Sequence, residues 1–223
     1  MNKRILIVIT TMCVALASCH KETTLVFSTD EITVDLGATD KELLQYVKSS
    51  DGTEVTVSGV DFNKVGLHQA VFKAGTASGT LPVKVRADRL AGEYVWSVFL
   101  LENDGNVFPL TSEKWKWNLT KGEKYNQMLI PDSAYSPWTK KIEHVFGDVG
   151  ALALNMDGDS LSITPWRGKF YFVVETKPYA HTFDSIRYGR LPNGDYGIIS
   201  FRMIETNGKY TYRYRFDLEK QIP

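Results

Sequence analysis

Five short pairs, Asp51-Gly52, Asp104-Gly105, Asp157-Gly158, Asn193-Gly194 and Asn207-Gly208, constrain this chain more than any other feature. Each joins a residue that tolerates positive φ to one without a Cβ, the chemistry that tight hairpin turns demand. Runs flanking several of these pairs alternate apolar and polar positions: Val55 and Val57; His68, Ala70, Phe72 and Ala74; Leu161 and Ile163; Tyr210, Tyr212, Tyr214 and Phe216. Period-two alternation turns one face of a strand to a core and the other to water. The expectation is an all-β chain. Helical signals occur at only two places. Thr39 and Glu42 form a capping box ahead of Leu43, Leu44 and Val47, and Ser136-Pro137 precedes Trp138, Ile142, Val145 and Phe146.

Aromatic content divides the chain. Of 27 aromatic residues only Phe27, Tyr46, Phe62 and Phe72 precede residue 88, so the other 23, with all five tryptophans, lie beyond it. Seven of the eight prolines also lie there, between β-prone runs such as 169–176 and 197–204, which favours a sheet-based sandwich or barrel over a helical bundle. Two domains are expected, at 25–87 and 90–223, joined at the polar stretch Arg86-Ala87-Asp88-Arg89.

Within the first, Val55-Thr56-Val57-Ser58-Gly59-Val60-Asp61, Asn63-Lys64-Val65-Gly66 and the strand through Phe72-Lys73-Ala74 follow one another. This succession resembles the bacterial Ig-like domains of surface lipoproteins. The resemblance implies a β-sandwich that acts as a spacer or interaction module, with Gly66 serving a turn and Ala70, Phe72 and Ala74 facing the core. His68 stands where that pattern usually has tyrosine. A lone histidine in an alternating strand is read as a packed or edge side chain. In the second domain, Gly92-Glu93-Tyr94-Val95-Trp96 resembles the opening strand of lipocalin-like barrels, although a glycine followed by aromatic alternation begins many β structures.

The N-terminus reads as an address. Lys3 and Arg4 precede an uncharged run, 5–17, too short to span a bilayer as a helix. It ends in Leu16-Ala17-Ser18-Cys19, which resembles the lipobox of bacterial lipoproteins. That resemblance implies a signal peptide over 1–18, lipidation of Cys19, a tether over 19–24 and an outer-membrane location. His20-Lys21-Glu22-Thr23 partly resembles the surface-export signal of Bacteroidota-type lipoproteins, with one carboxylate where several are usual, so the leaflet stays open. The two cysteines, Cys13 and Cys19, then leave the mature chain with neither free thiol nor disulfide. Removing Lys3 and Arg4 changes the balance from 26 against 26 to 24 basic against 26 acidic residues, a formal −2. The lipid, not a polybasic patch, would hold the protein to the membrane. The same balance excludes a nucleic-acid partner.

No catalytic constellation emerges. His20, His68, His144 and His181 are dispersed without zinc spacing, and no nucleophile elbow, phosphate loop or dinucleotide fingerprint occurs. Asn155, Asp157 and Asp159 resemble the start of a calcium loop, but Ser160 and Trp166 replace its glycine and closing glutamate, so a hairpin turn is the preferred reading. No metal or cofactor is expected. Asp132-Ser133-Ala134, Asp159-Ser160-Leu161 and Asp184-Ser185-Ile186 resemble O-glycosylation acceptors of exported Bacteroidota proteins, or simply use serine in turns.

The most suggestive local pattern is Lys114-Trp115-Lys116-Trp117-Asn118, which as a strand points both tryptophans to one face. Two adjacent indoles make either a core layer or a platform for the apolar faces of sugar rings. The core reading has more weight, since no disulfide replaces the burial they supply. Trp138, Trp166 and Tyr212 are weaker platform candidates. The expected function is a non-enzymatic, membrane-anchored envelope lipoprotein whose C-terminal domain binds carbohydrate as an accessory to glycan capture. A structural or protein-interaction lipoprotein with envelope partners, and a hydrolase whose carboxylates sequence does not pair, remain the alternatives.

Overall fold

The computed structural model describes residues 22–101, 107–109, 114–131, 151–165, 172–174, 177–206 and 211–221. The chain is mainly β, as its alternation predicts. The N-terminal region contains β1 (Leu25–Phe27), β2 (Ile32–Asp35), α1 (Asp40–Leu44), β3 (Val47–Ser49), β4 (Thr56–Ser58), β5 (Gly66–Ala74) and β6 (Ala77–Arg86). Strands β1 and β3 form one small sheet, and β2-β6-β5-β4 form another in which β2 runs parallel to β6. Ala70, Phe72 and Ala74 are buried on alternate positions of β5, as their spacing requires. Phe27 of the smaller sheet meets Phe72 of the larger edge-on at 5.6 Å, where Gly79 leaves room for the Phe27 ring. The capping box of Thr39 and Glu42 opens α1, which buries Leu43.

The remainder contains β7 (Gly92–Leu101), β8 (Val107–Pro109), β9 (Trp115–Lys121), β10 (Gln127–Pro131), β11 (Ala151–Asp157), β12 (Ser160–Pro165), β13 (Phe172–Val174), β14 (Lys177–Arg190), β15 (Tyr196–Thr206) and β16 (Thr211–Lys220). Their order is β12-β11-β10-β9-β7-β16-β15-β14-β13, antiparallel throughout, with β8 beside the far half of β7. Strands β12 and β14 also lie against each other, linked by the Ile186 amide donating to the Asp159 carbonyl at 3.2 Å. The sheet is thus a nearly closed meander barrel, closed between first and last strands from Tyr94↔Lys220 to Leu101↔Arg213.

Asp157-Gly158 makes the β11–β12 turn, with Gly158 at φ 57°, and Asn193-Gly194 lies in the β14–β15 turn. Asp51-Gly52 is also a turn, but β3 and β4 on either side pair with β1 and β5 rather than with each other. Asp104-Gly105, Asn207-Gly208, the helix expected after Ser136 and the Asp132-Ser133-Ala134 triplet lie outside the described residues.

The barrel floor is packed onto the N-terminal region. The Val65 amide donates to the Tyr188 hydroxyl at 2.8 Å, that hydroxyl donates to the Gly158 carbonyl at 2.7 Å, and the Gly158 amide donates to the Val65 carbonyl at 2.8 Å. Tyr196 donates to Asn63 Oδ1 at 3.1 Å, Lys64 pairs with Asp159, and Arg89 donates to the Leu36 carbonyl at 3.1 Å while lying over the Tyr196 ring. Gly66 serves this docking rather than a turn. Its φ is 147°, and a Cβ there would come within 2.8 Å of Asp157 Oδ1.

Apolar burial is continuous from one region to the other. The junction is correspondingly closed despite its polar sequence. Ala87 and Leu90 are fully buried, the 3-10 turn Asp88–Leu90 lies against the barrel, and the Ala87 amide donates to the Tyr125 carbonyl at 2.8 Å. Arg86 and Asp88 are half-buried there and pair with Asp35 and Lys121.

Candidate functional site: the distal end of the barrel

Two ends of the barrel differ in chemistry because different connections gather there. The β9–β10, β11–β12 and β14–β15 turns and the 3-10 turn meet the N-terminal region and form the floor. Polar groups on the inner face are concentrated here. Tyr94 donates to the Leu90 carbonyl at 2.7 Å and accepts from the Ile198 amide at 3.2 Å. Lys220 donates to the carbonyls of Arg89 and Tyr196 and pairs with Asp195 at 2.9 Å. Burial pushes the Asp195 carboxyl up, but the Lys220 ammonium, the Tyr196 amide and the Arg89 charge together outweigh it and hold the group below the usual aspartate range. Burial raises the Tyr94 phenol and pushes Tyr188 up to about 12, so both hydroxyls stay protonated as donors.

Above the floor the inner wall becomes aromatic. Trp96, Phe201 and Phe216 are buried, with Phe201 and Phe216 stacked at 4.7 Å. Trp117 lies 4.3 Å from Trp96, centroid to centroid, and near-parallel to Phe201 at 6.3 Å. Register then aligns Phe183, Met203, Tyr214, Leu100 and Phe108 in one inner-face row across β14, β15, β16, β7 and β8. Exposure rises toward the end remote from the floor. Met203 is buried, Tyr214 and Phe183 are half-buried, and Phe108 is 48% exposed. Tyr212, one inner-face position further along β16, is 38% exposed.

The structure therefore brings two of the sequence candidates, Trp117 and Tyr212, to the inner face of one barrel. Trp117 is half-buried in the aromatic stack and Tyr212 stands at the rim. The Trp115 backbone pairs with Trp96, which places it at an inner-face register position. Cys19, Trp138 and Trp166 lie outside the described residues. Lys116 points outward and pairs with Glu93 at 2.8 Å.

Sequence reasoning did not single out Trp96, Phe108, Phe183, Phe201 or Phe216 as parts of this wall. The Tyr94-Trp96-Val98 alternation carried part of the signal, but the row across β14, β15, β16, β7 and β8 depends on pairings between residues more than 100 positions apart. His68, on β5, is half-buried and shares a hydrogen bond with the Lys64 carbonyl at 2.9 Å. Asn155 donates to the carbonyls of Ala153 and Ser162 and to Thr164 Oγ1 beside the β11–β12 hairpin. No cluster of metal-ligating side chains occurs among the described residues.

Such an arrangement offers flat π faces and phenol groups where the inner face becomes exposed, chemistry suited to stacking and hydrogen bonding. No protein-family model matches the chain, and no curated protein or solved structure matches it either.

Proposed function

We propose that this chain is a non-enzymatic envelope lipoprotein, anchored in the outer membrane through Cys19, whose barrel binds carbohydrate at its distal end as an accessory to glycan capture. The observation that supports this reading most is polar: the tether and the barrel occupy opposite ends of the N-terminal region. Thr23 donates to Asp51 Oδ2 at 2.6 Å, and Gly75, in the turn after β5, lies beside Thr23. The other end of β5, at Gly66, meets Asp157 of the barrel. A nine-residue strand separates these ends by about 27 Å. The N-terminal region, read as an Ig-like spacer, then holds the barrel floor toward the membrane and the aromatic rim away from it.

At that rim Tyr212 presents a stacking surface to a sugar ring, with Trp115, Trp117, Trp138 and Trp166 as further candidates. Because Trp96, Phe201 and Phe216 are packed together inside the barrel, this reading puts the ligand at the rim rather than deep inside. That same packing favours the second reading, an envelope protein that binds another protein through its rim.

The anchor is tested by mass spectrometry of the mature N-terminus, where an acylated Cys19 is expected. An unmodified terminus elsewhere would contradict it. A glycan array probed with the soluble Cys19→Ala chain tests the ligand. Retention of a carbohydrate supports the first reading, whereas silence on the array together with capture of a defined envelope protein supports the second.

A further inference from the structure

We infer that the end of the N-terminal region formed by the β3–β4 and β5–β6 turns is a membrane-contact surface, held against zwitterionic lipid headgroups by a tether too short to let it stand away. This reading rests on the Cys19 anchor proposed for the chain and names the face of the protein that meets the lipid. Thr23 is built into that end. Its hydroxyl donates to Asp51 Oδ2 at 2.6 Å, the Thr24 amide donates to Ser50 Oγ at 3.0 Å, and the Ser50 amide donates to the Thr24 carbonyl at 2.9 Å. Asp51 also accepts from the Thr53 amide at 3.0 Å. The Thr23 hydroxyl, with Thr53, holds the Asp51 carboxyl down at about 2, so it remains a charged acceptor at neutral pH. The β5–β6 turn joins the same cluster, since a Cβ on Gly75 would lie 3.9 Å from Thr23 Oγ1 and 4.0 Å from Thr53.

Chain length then limits the gap to the membrane. Only His20, Lys21 and Glu22 separate Cys19 from Thr23. That stretch spans at most about 14 Å when fully extended. A lipid on the Cys19 sulfur places that residue among the headgroups, a layer about 6 Å deep on each side of the hydrocarbon, which leaves at most about 8 Å between this end and the lipid surface. The barrel meets the opposite end of β5, at Gly66, and so stays clear of the lipid.

The chemistry of this end matches a zwitterionic surface. Its charged residues among those described, Glu22, Lys48, Asp51, Glu54 and Lys73, are all exposed and of mixed sign. A headgroup that carries both phosphate and ammonium complements both signs, whereas an anionic lipid gains no net attraction from them. Gly52, Gly75 and Thr76 are exposed and give the turns little bulk, so headgroups can approach the backbone closely. Val26, 58% exposed and cross-strand from Lys48, adds an apolar contact beside a lysine stem.

The test takes the chain from residue 19 onward, whose single thiol is Cys19, and couples it through that thiol to phosphatidylethanolamine and phosphatidylcholine vesicles carrying a maleimide lipid. Exposed lysines are then acetylated with a water-soluble reagent and quantified by mass spectrometry. Lys48 and Lys73 should react at least about threefold more slowly on the vesicles than in the soluble chain, as groups held within a headgroup layer would. Lys116 and Lys124, exposed on the barrel, should react equally in both states. Inserting about twelve Gly and Ser residues before Thr23 adds about 20 Å of reach and should return Lys48 and Lys73 to their solution rates. Uncoupled chain mixed with the same vesicles should also keep solution rates, because the tether supplies the contact. Solution rates at Lys48 and Lys73 on the coupled vesicles, equal shielding of Lys116 or Lys124, shielding that survives the insertion, or shielding without coupling would each overturn the inference. Chemical coupling joins Cys19 to lipid whether or not the cell acylates it. Failure of this surface is therefore read from the lysines, and failure of the anchor from the mass of the mature terminus.

Discussion

Tyr188 accepts a hydrogen bond from the amide of Val65, a residue 123 positions earlier, at 2.8 Å. The same hydroxyl donates to the Gly158 carbonyl, so a single phenol joins the N-terminal region, a barrel strand and a barrel turn. Tyr188→Phe preserves the ring and removes both bonds. Leaving two partly buried backbone groups without that partner should cost about 1–3 kcal/mol. Chemical denaturation should show a single transition at a lower midpoint, and an unchanged midpoint would mean that the contact carries no stability.

The pH dependence of this junction follows from the raised phenol. Tyr188 titrates at about 12 in the folded chain, against 10.0 for an ordinary tyrosine. Its contribution is therefore complete below the unfolded value and is lost as pH rises through the folded one. Thermal midpoints should fall between pH 10 and 12, and Tyr188→Phe should flatten that decline. Asp195 acts in the opposite sense. Its lowered carboxyl contributes above the ordinary aspartate range and loses its contribution as pH falls through the folded value, when protonation breaks its pair with Lys220.

Gly37 and Gly52 have almost the same conformation, φ 80° and 83°, in different surroundings. A Cβ on Gly37 would come within 2.5 to 2.7 Å of the Tyr196 ring, while one on Gly52 meets nothing within 4 Å. Gly52→Ala should cost about 1–2 kcal/mol from backbone strain alone. Gly37→Ala adds overpacking and should cost about 2–5 kcal/mol. Equal losses in calorimetry would show that the floor accommodates the extra carbon and that docking is loose.

Limited trypsin digestion probes the junction. Arg86 and Arg89 flank the fully buried Ala87, and their side chains are engaged with Asp35 and the Leu36 carbonyl. Cleavage between 86 and 90 should follow global unfolding. Early cutting there would mean that the two regions separate in solution.

How far the sequence disclosed this fold depended on the range of the interaction involved. The burial alternation of Ala70, Phe72 and Ala74, the Asp157-Gly158 hairpin and the Thr39–Glu42 capping box are properties of a few adjacent residues, so local pattern was enough to find them. Asp51-Gly52 shows the limit. Turn chemistry specifies a bend, while the pairing of β3 and β4 with other strands is set by the core they share. Gly66 was legible as a conformational requirement, but its reason, the approach of Asp157, lies 91 positions along the chain. The buried junction was hidden for a related cause, because the charges of Arg86, Asp88 and Arg89 disguise a backbone pressed against the barrel. At the candidate site, the common face of Trp115 and Trp117 was readable from alternation. The encounter of Trp117 with Trp96, Phe201 and Phe216 required the barrel to close.

The stability consequences of the aromatic wall differ by position. Trp117→Ala removes an indole packed against Trp96 and near-parallel to Phe201, and should cost about 2–4 kcal/mol, less than a fully buried residue. Tyr212→Ala acts at the rim, where the residue is 38% exposed, and should cost less, about 0.5–1.5 kcal/mol. A steep loss at Tyr212 would assign it to the core.

Calorimetric titration of the carbohydrate retained on the array, against wild type and Tyr212→Ala, tests the functional reading most directly. Loss of one stacked ring at the rim should weaken binding by about tenfold, corresponding to about 1–1.5 kcal/mol, in a protein that stays folded with a thermal midpoint above that of Trp117→Ala. Undiminished affinity in the folded Tyr212→Ala protein, or the absence of carbohydrate binding by the wild type, would contradict it.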